Sequence, residues 1–265
     1  SDGTNGAGLA AATQATGEVA HVQVFPYEAI VAPGARQKFT LKLYDAKGNL
    51  IREEAAAKAT WAVDQLTGTV AADGTFTAPA AGSLQARGEG GLVKATLGNV
   101  TGQARVRVVA PLPYTFDFED AAAEAPPSWW VGAPTKVVRR TVEGVGAVLM
   151  RSRNKTVGRR AKVFTGLRTW RGYTVESDVR GREQRRQRGD VGLINERYGL
   201  VLFGNGQKLE LHPWQAADEM TTRAESKWDA DKWYRMKLRV DQQKDGTARV
   251  RGKVWPADAA EPAAW

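Results

Sequence analysis

Residues 232–256, KWYRMKLRVDQQKDGTARVRGKVWP, constrain the fold more than any other stretch. Tyr234, Met236, Leu238 and Val240 alternate with Arg235, Lys237, Arg239 and Asp241. Further along, Ala248, Val250, Gly252 and Val254 alternate with Arg249, Arg251, Lys253 and Trp255. Successive side chains of a strand point to opposite faces, so this period of two predicts a pair of strands, one face apolar and the other cationic. Lys244-Asp245-Gly246 supplies the turn between them. Such a hairpin needs a second sheet to cover its apolar face.

The same punctuation runs through the chain. After residue 112 come YTFDFED, TKVVRR, GAVLMR, AKVFT, YTVESDVRG, DVGLINE, YGLVLFG, QKLELHPW and MTTRAESKW, parted by Gly, Asn or charged turns. Gly204-Asn205-Gly206 reads as a hairpin turn. Before residue 110 come HVQVFP, QKFTLKLYDAKGN, the strand of Trp61, a hairpin GTVAADGTFTAP through Asp73-Gly74, and ARVRVVAP. EEAAAK favours a helix but is too short to stand alone, so a loop or one turn is expected. The fold class is therefore all-β, built from sandwiches. Residues 1–17, rich in Gly, Ala and Thr, read as a flexible linker. The first domain spans 18–110, prolines around Ala110-Pro-Leu-Pro113 stiffen a joint, and the second domain spans 112–265.

Composition separates the halves. Residues 1–111 are nearly neutral at +1, whereas 112–265 carry +8 of the +9 net charge. Trp61 is the lone tryptophan of the first part and the other eight follow. The chain has no cysteine, which excludes disulfides and thiolate metal sites, and only His21 and His212 as imidazoles, which argues against a zinc site. No run of about 18 apolar residues is present, so no transmembrane helix is expected. The start, SDGTNGAGLAAATQATG, lacks the basic region and long apolar core of a signal peptide, which leaves export open.

VQVFP, VAPGARQKFTLKLYDAKGN, ATWAV, GTVAADGTFTAP and ARVRVV together resemble bacterial immunoglobulin-like domains of surface and secreted proteins. The resemblance covers 18–110 and implies a spacer or adhesion module, with Trp61 in its core. YTFDFED, YTVESDVRG, GDVGLINERYGLVLFGNGQKLELHPW, KWYRMKLRV and VRGKVWP with EPAAW resemble the concanavalin A-like lectin/glucanase (LamG-like) jelly roll. More narrowly they resemble the C-terminal region of bacterial PQQ-binding-like β-propeller repeat proteins. No propeller repeat stands in this sequence. A jelly roll of this type usually continues past EPAAW with closing strands, so either the chain is a piece of a longer one or a sheet edge is open to a protein partner.

The jelly-roll resemblance directs attention to particular side chains. Glu176 and Asp178, two apart on one strand, share a face. Laminarinase-type glucanases carry E-x-D-x-x-E there, their two carboxyls about 5–5.5 Å apart; here Gly181 holds the last Glu position, so the acid/base partner is missing. Glu196, Glu210 and His212 are the remaining catalytic candidates, by a loose resemblance to 3-keto-disaccharide hydrolases that also takes in Asn195 and Arg197. Trp214 follows a His-Pro corner and, with Arg197, Tyr198, Glu210 and His212, makes a candidate sugar site, since aromatic rings stack on pyranoses while polar groups orient them. Trp129, Trp130 and Trp228 are further aromatic candidates. Arg185 and Arg186 in RGREQRRQR, with Arg235, Lys237 and Arg251, make a candidate polyanion surface. No helix-turn-helix, zinc or RRM-type signature points to nucleic acid. No cofactor is called for, but superfamily members often carry calcium, for which Asp117, Glu119 and Asp120 supply oxygens. The resulting expectation is a non-catalytic extracytoplasmic module, secreted, periplasmic or on the outer cell surface, that binds a polysaccharide or another envelope component. The alternatives are a glycoside-processing hydrolase, or an assembly module pairing with a propeller or another subunit.

Overall fold

The structure is a computed structural model that describes residues 17–84, 88–152, 161–215 and 220–265. The expected linker lies outside the described residues except for Gly17. By compactness the chain divides into two units, Ser1–Leu167 and Arg168–Trp265. This cut differs from the proline joint read in the sequence.

The first unit opens with β1 (His21–Phe25), β2 (Glu28–Val31), β3 (Arg36–Lys38), β4 (Thr40–Tyr44) and β5 (Leu50–Glu54). It continues with β6 (Thr60–Asp64), β7 (Thr69–Val70), β8 (Thr75–Thr77), β9 (Glu89–Leu97) and β10 (Val100–Val108). One sheet runs β1-β4-β5 and the other β2-β10-β9-β6, with a small sheet β3-β8-β7 beside them. All pairs are antiparallel except β2, which runs parallel to β10. Alternate residues meet between the sheets: Val22 and Val24, Leu41 and Leu43, Val93 and Ala95, Ala104 and Val106. Phe39 and Phe76 are fully buried among them. This is an immunoglobulin-like sandwich. EEAAAK becomes the end of β5 and one 3₁₀ turn, Ala56–Lys58.

Residues 112–152 and 161–167 pack with this unit. Trp129 is 7% exposed and lies against Gly88, while Gly90 faces the backbone of Ser128; a side chain at either glycine would overlap them. β11 (Val137–Val142) and β12 (Gly146–Arg151) form a hairpin. Two sequence expectations change here. YTFDFED makes no strand: Phe118 has φ of 68°, and Phe116 and Phe118 turn edge-on to Trp129 and Trp130. AKVFT contributes only the single bridge Val131–Phe164.

The second unit holds β13 (Thr174–Val179), β14 (Glu183–Gln184), β15 (Gln187–Arg188), β16 (Val191–Asn195) and β17 (Tyr198–Phe203). It ends with β18 (Lys208–Pro213), β19 (Thr222–Glu225), β20 (Tyr234–Gln242) and β21 (Ala248–Pro256). The sheets are β13-β20-β21 and β16-β17-β18-β19, with β14-β15 a separate hairpin. Val179, Met236 and Leu238 from the first meet Leu193, Leu200 and Leu202 from the second. Trp228, 2% exposed, closes one end of this core and donates its indole N–H to Phe203 O at 2.8 Å. The hairpin expected over residues 232–256 is β20–β21, with the expected alternation and with Gly246 in the turn at φ of 84°. Among the described residues β21 pairs with β20 alone, so it forms an edge of its sheet. No helix among the described residues is long and apolar enough to cross a membrane.

Candidate functional site

Three surfaces of the second unit carry the chemistry-bearing side chains. The first is the outer face of the four-stranded sheet. Leu200 and Leu202 point inward and pair with Leu211 and Leu209, so Lys208, Glu210 and His212 point outward. Trp214 continues this row past the strand end: its backbone N–H donates to Arg197 O at 2.6 Å, which pairs the two residues along the backbone. Trp214 is 51% exposed. His212 lies over Gly199, its directly opposite neighbour, where a Cβ would come within 3.0 Å of the ring.

Glu210 is the charged centre of that row. Lys208 Nζ and Arg223 Nε both donate to its Oε2 at 2.9 Å. Burial pushes its carboxyl up, but the hydrogen bonds from Lys208 and Arg223 outweigh this and hold it below the ordinary value. Glu210 is therefore an anion locked between two cations. Glu196, 10% exposed, lies at the β16–β17 turn, where it accepts the N–H of Gly172 at 3.1 Å. Tyr198 is separated from the Trp214 row, because it shares the inward-facing parity of Leu200 and Leu202. Asn195 is no surface group: it is 1% exposed and its amide donates to Tyr173 O at 2.8 Å and Leu238 O at 3.1 Å.

The second surface is the outer face of β13-β20-β21. Glu176 and Asp178 do share it, opposite Lys237 and Arg235. Arg235 grips Asp178 with two hydrogen bonds, 2.7 and 2.9 Å, which raise its pKa further. Lys237 donates to Glu176 at 2.9 Å. Arg239 and Arg251 both reach Asp241, at 2.6 and 2.9 Å. The cationic stripe is thus a paired network, and Glu176 and Asp178 belong to it. One component of this network carries no signal in the sequence: residues 257–265 fold back over this face, placing Glu261 2.8 Å from Lys237 and from Lys253.

The third surface is the β14–β15 hairpin and the shallow cavity beside it, of about 530 Å³. Arg186, Arg188, Asn205, Gln207, Lys227 and Trp228 are among its lining. Arg188 is anchored: it donates to Glu183 at 2.8 Å and to Trp228 O at 2.7 Å. Arg185 and Arg186 form the two-residue tip, with φ of 52° and 61°. The predicted polyanion set is therefore split between two places, Arg185 and Arg186 here and Arg235, Lys237 and Arg251 on the paired sheet face.

The other aromatic candidates are structural. Trp129 and Trp228 are buried, and Trp130 stacks edge-on against Phe118. In the proposed calcium set, Glu119 accepts the N–H of Ala147 at 2.7 Å and Asp117 accepts that of Glu119 at 3.1 Å. Among the described residues no group of three or more His, Asp or Glu is placed to hold a metal.

No family model matches the chain, and no curated protein matches it. Among solved structures, protocadherin gamma B2 extracellular cadherin domains 3-6 aligns at 10% identity with a TM-score of 0.22, over 88% of this chain and 46% of that one. The chain thus spans less than half the length of that solved chain.

Proposed function

We propose that the chain is a non-catalytic binding module of the cell envelope, in which the second unit takes a carbohydrate and the immunoglobulin-like sandwich serves as spacer. The observation that carries this is the row Trp214, His212, Glu210 on one sheet face, with Arg197 the backbone partner of Trp214. A half-exposed indole offers a flat apolar surface to a pyranose ring. The imidazole, the guanidinium and a fixed carboxylate offer directional hydrogen bonds beside it. The concanavalin A-like resemblance of the sequence supports the same reading, as does the facing of two antiparallel sheets. A placement outside the cytoplasm follows from the resemblance of residues 18–110 to surface-protein modules. The carboxylates that hydrolysis would need are engaged instead: Glu176 and Asp178 by Lys237 and Arg235, and Glu210 by Lys208 and Arg223.

The test is a glycan-array screen at low salt and at about 0.5 M salt, where charge effects beyond a few ångströms are screened. Binding to defined neutral glycans that survives salt and is lost in Trp214→Ala is the expected result. Binding only to acidic polymers, abolished by salt and indifferent to Trp214→Ala, overturns this site.

A further inference from the structure

The outer face of β13-β20-β21 arranges its charges in a way that sheets avoid. Lys237 stands directly opposite Lys253, and Arg239 opposite Arg251; like charges in such register repel. Asp241, on the same face, relieves the arginine pair. For the lysine pair, the carboxylate that reaches both members comes from outside the sheet. The chain turns back after β21, with Ala257 N–H donating to Trp233 O and Ala259 N–H to Pro256 O, each at 3.0 Å. It then lies over the face. Glu261 sits 2.8 Å from both lysines, Pro262 O accepts from Lys253 Nζ at 2.7 Å, and the Trp265 ring stands 4.6 Å from Lys253 and 5.0 Å from Arg251. Beneath lies Trp255, 5.7 Å from each lysine. Both Lys253 and Trp255 are only 7% exposed, although they point outward from an edge strand.

The two sides of this contact differ in character. Below are side chains fixed on paired strands. Above, every residue from Asp258 to Trp265 is exposed, so no apolar core holds the segment down. Beyond the two backbone hydrogen bonds at its start, its attachments are ion pairs, one carbonyl hydrogen bond and an indole over cations, all of which a second chain with the same groups can make. We propose that Lys237, Lys253, Arg251 and Trp255 form a binding site for an acidic peptide segment of a partner protein, and that residues 257–265 are its resident occupant. The occupant defines the chemistry: a carboxylate between two lysines, a proline carbonyl one residue later, and an aromatic ring four residues after the carboxylate. The proline restricts the backbone, which reduces the entropy lost on docking. Tethered in cis, the resident segment acts at an effective concentration on the order of millimolar. A partner therefore sees an affinity lowered by the fraction of sites already filled. This site lies on the opposite sheet from Trp214 and does not depend on the carbohydrate reading.

The probe is a fluorescent, end-blocked peptide of sequence ADAAEPAAW, titrated against the unaltered protein, Glu261→Ala, Glu261→Gln and the double variant Lys253→Met/Glu261→Ala. Melting curves confirm that each is folded, and hydrogen exchange follows the amides of residues 257–265. Removing the Glu261 carboxylate should raise exchange in that segment and tighten peptide binding about ten-fold, as the cis occupant vacates the site. The double variant should lose that binding. Unchanged exchange and unchanged affinity in both Glu261 variants would overturn the proposal, as would binding that survives Lys253→Met. Polygalacturonate is the second probe: if Glu261→Ala gains affinity for it and none for the peptide, the acidic-peptide assignment is wrong.

Discussion

Asn195 shows how one residue joins two sheets. It sits on β16, yet its amide reaches Tyr173 O, at the entry to β13, and Leu238 O on β20. Both partners accept, so the position needs a donor. Asn195→Asp would set a carboxylate against two carbonyls in a site that is 1% exposed. The expected cost is about 3 kcal/mol at neutral pH, from two lost hydrogen bonds and a buried anion. Burial raises the folded pKa of such a group, so the penalty is greatest above that pKa and shrinks as pH falls through it, when the carboxyl regains a proton to donate. Urea unfolding of the variant and the unaltered protein at matched pH measures this. A difference that stays constant from neutral to acid pH would show that the amide is not the donor required. The inward placement was legible: Val191, Leu193 and Asn195 share one parity, and so do Tyr198, Leu200 and Leu202. Residue type suggested a polar site, but parity decides which face a strand residue occupies.

At the scale of elements, the β14–β15 hairpin carries an unusual turn. Arg185 and Arg186 occupy both central positions with positive φ, a geometry that favours Asn-Gly. A side chain with a Cβ costs roughly 1–2 kcal/mol in the left-handed region. Arg185→Asn/Arg186→Gly should therefore stabilise the second unit by about 1 kcal/mol, part of the gain being offset by the chain entropy of glycine. A shift of the thermal midpoint to higher temperature is the expected reading, and a lower midpoint would mean that the guanidinium groups make contacts worth more than the strain. The absence of Gly or Asn at this turn is also why RGREQRRQR reads as a basic loop in the sequence. Elsewhere turn chemistry and alternation agreed, and the elements were legible: β20–β21 and the β7–β8 hairpin through Asp73-Gly74 lie where the pattern puts them. YTFDFED alternates just as cleanly and forms no strand. Its phenyl rings find Trp129 and Trp130 instead, a tertiary preference that no local period encodes. Nor did local pattern announce the fold-back of residues 257–265. The one trace of it was a lysine facing a lysine, visible only once the register is known.

For the molecule as a whole, the positive balance conceals a dependence on its carboxylates. A net charge of +9 repels itself, and the structure relieves that repulsion by setting anions among the cations. In the first unit, hydrogen bonds from Lys58, Ala55 N–H and Arg52 lower the Glu54 carboxyl to about 2. Asp73 is lowered to about 2 by Lys38 and by the backbone and hydroxyl of Thr75. In the second unit Asp241 is lowered by Arg239 and Arg251, and Glu261 by Lys237 and Lys253. A carboxylate whose folded pKa lies below its unfolded value stabilises the fold fully above the unfolded value, and loses that contribution as pH falls through the folded one. For Glu54 and Asp73 the window therefore runs from the ordinary carboxylate range, near pH 4, down to about 2. Stability should be flat with respect to these groups between pH 5 and 7 (roughly, from their ordinary pKa values) and then decline as each protonation leaves its cationic partners unopposed, with the exposed Asp73 pair contributing least. Thermal unfolding followed across this range checks it. Lys237 and Lys253 lower the Glu261 carboxyl too, so the protection of amides in residues 257–265, taken relative to the intrinsic exchange rate at each pH, should fall as acid protonates that carboxylate. A midpoint that holds constant down to about pH 2 would mean that these ion pairs contribute nothing beyond what water supplies to the separated groups.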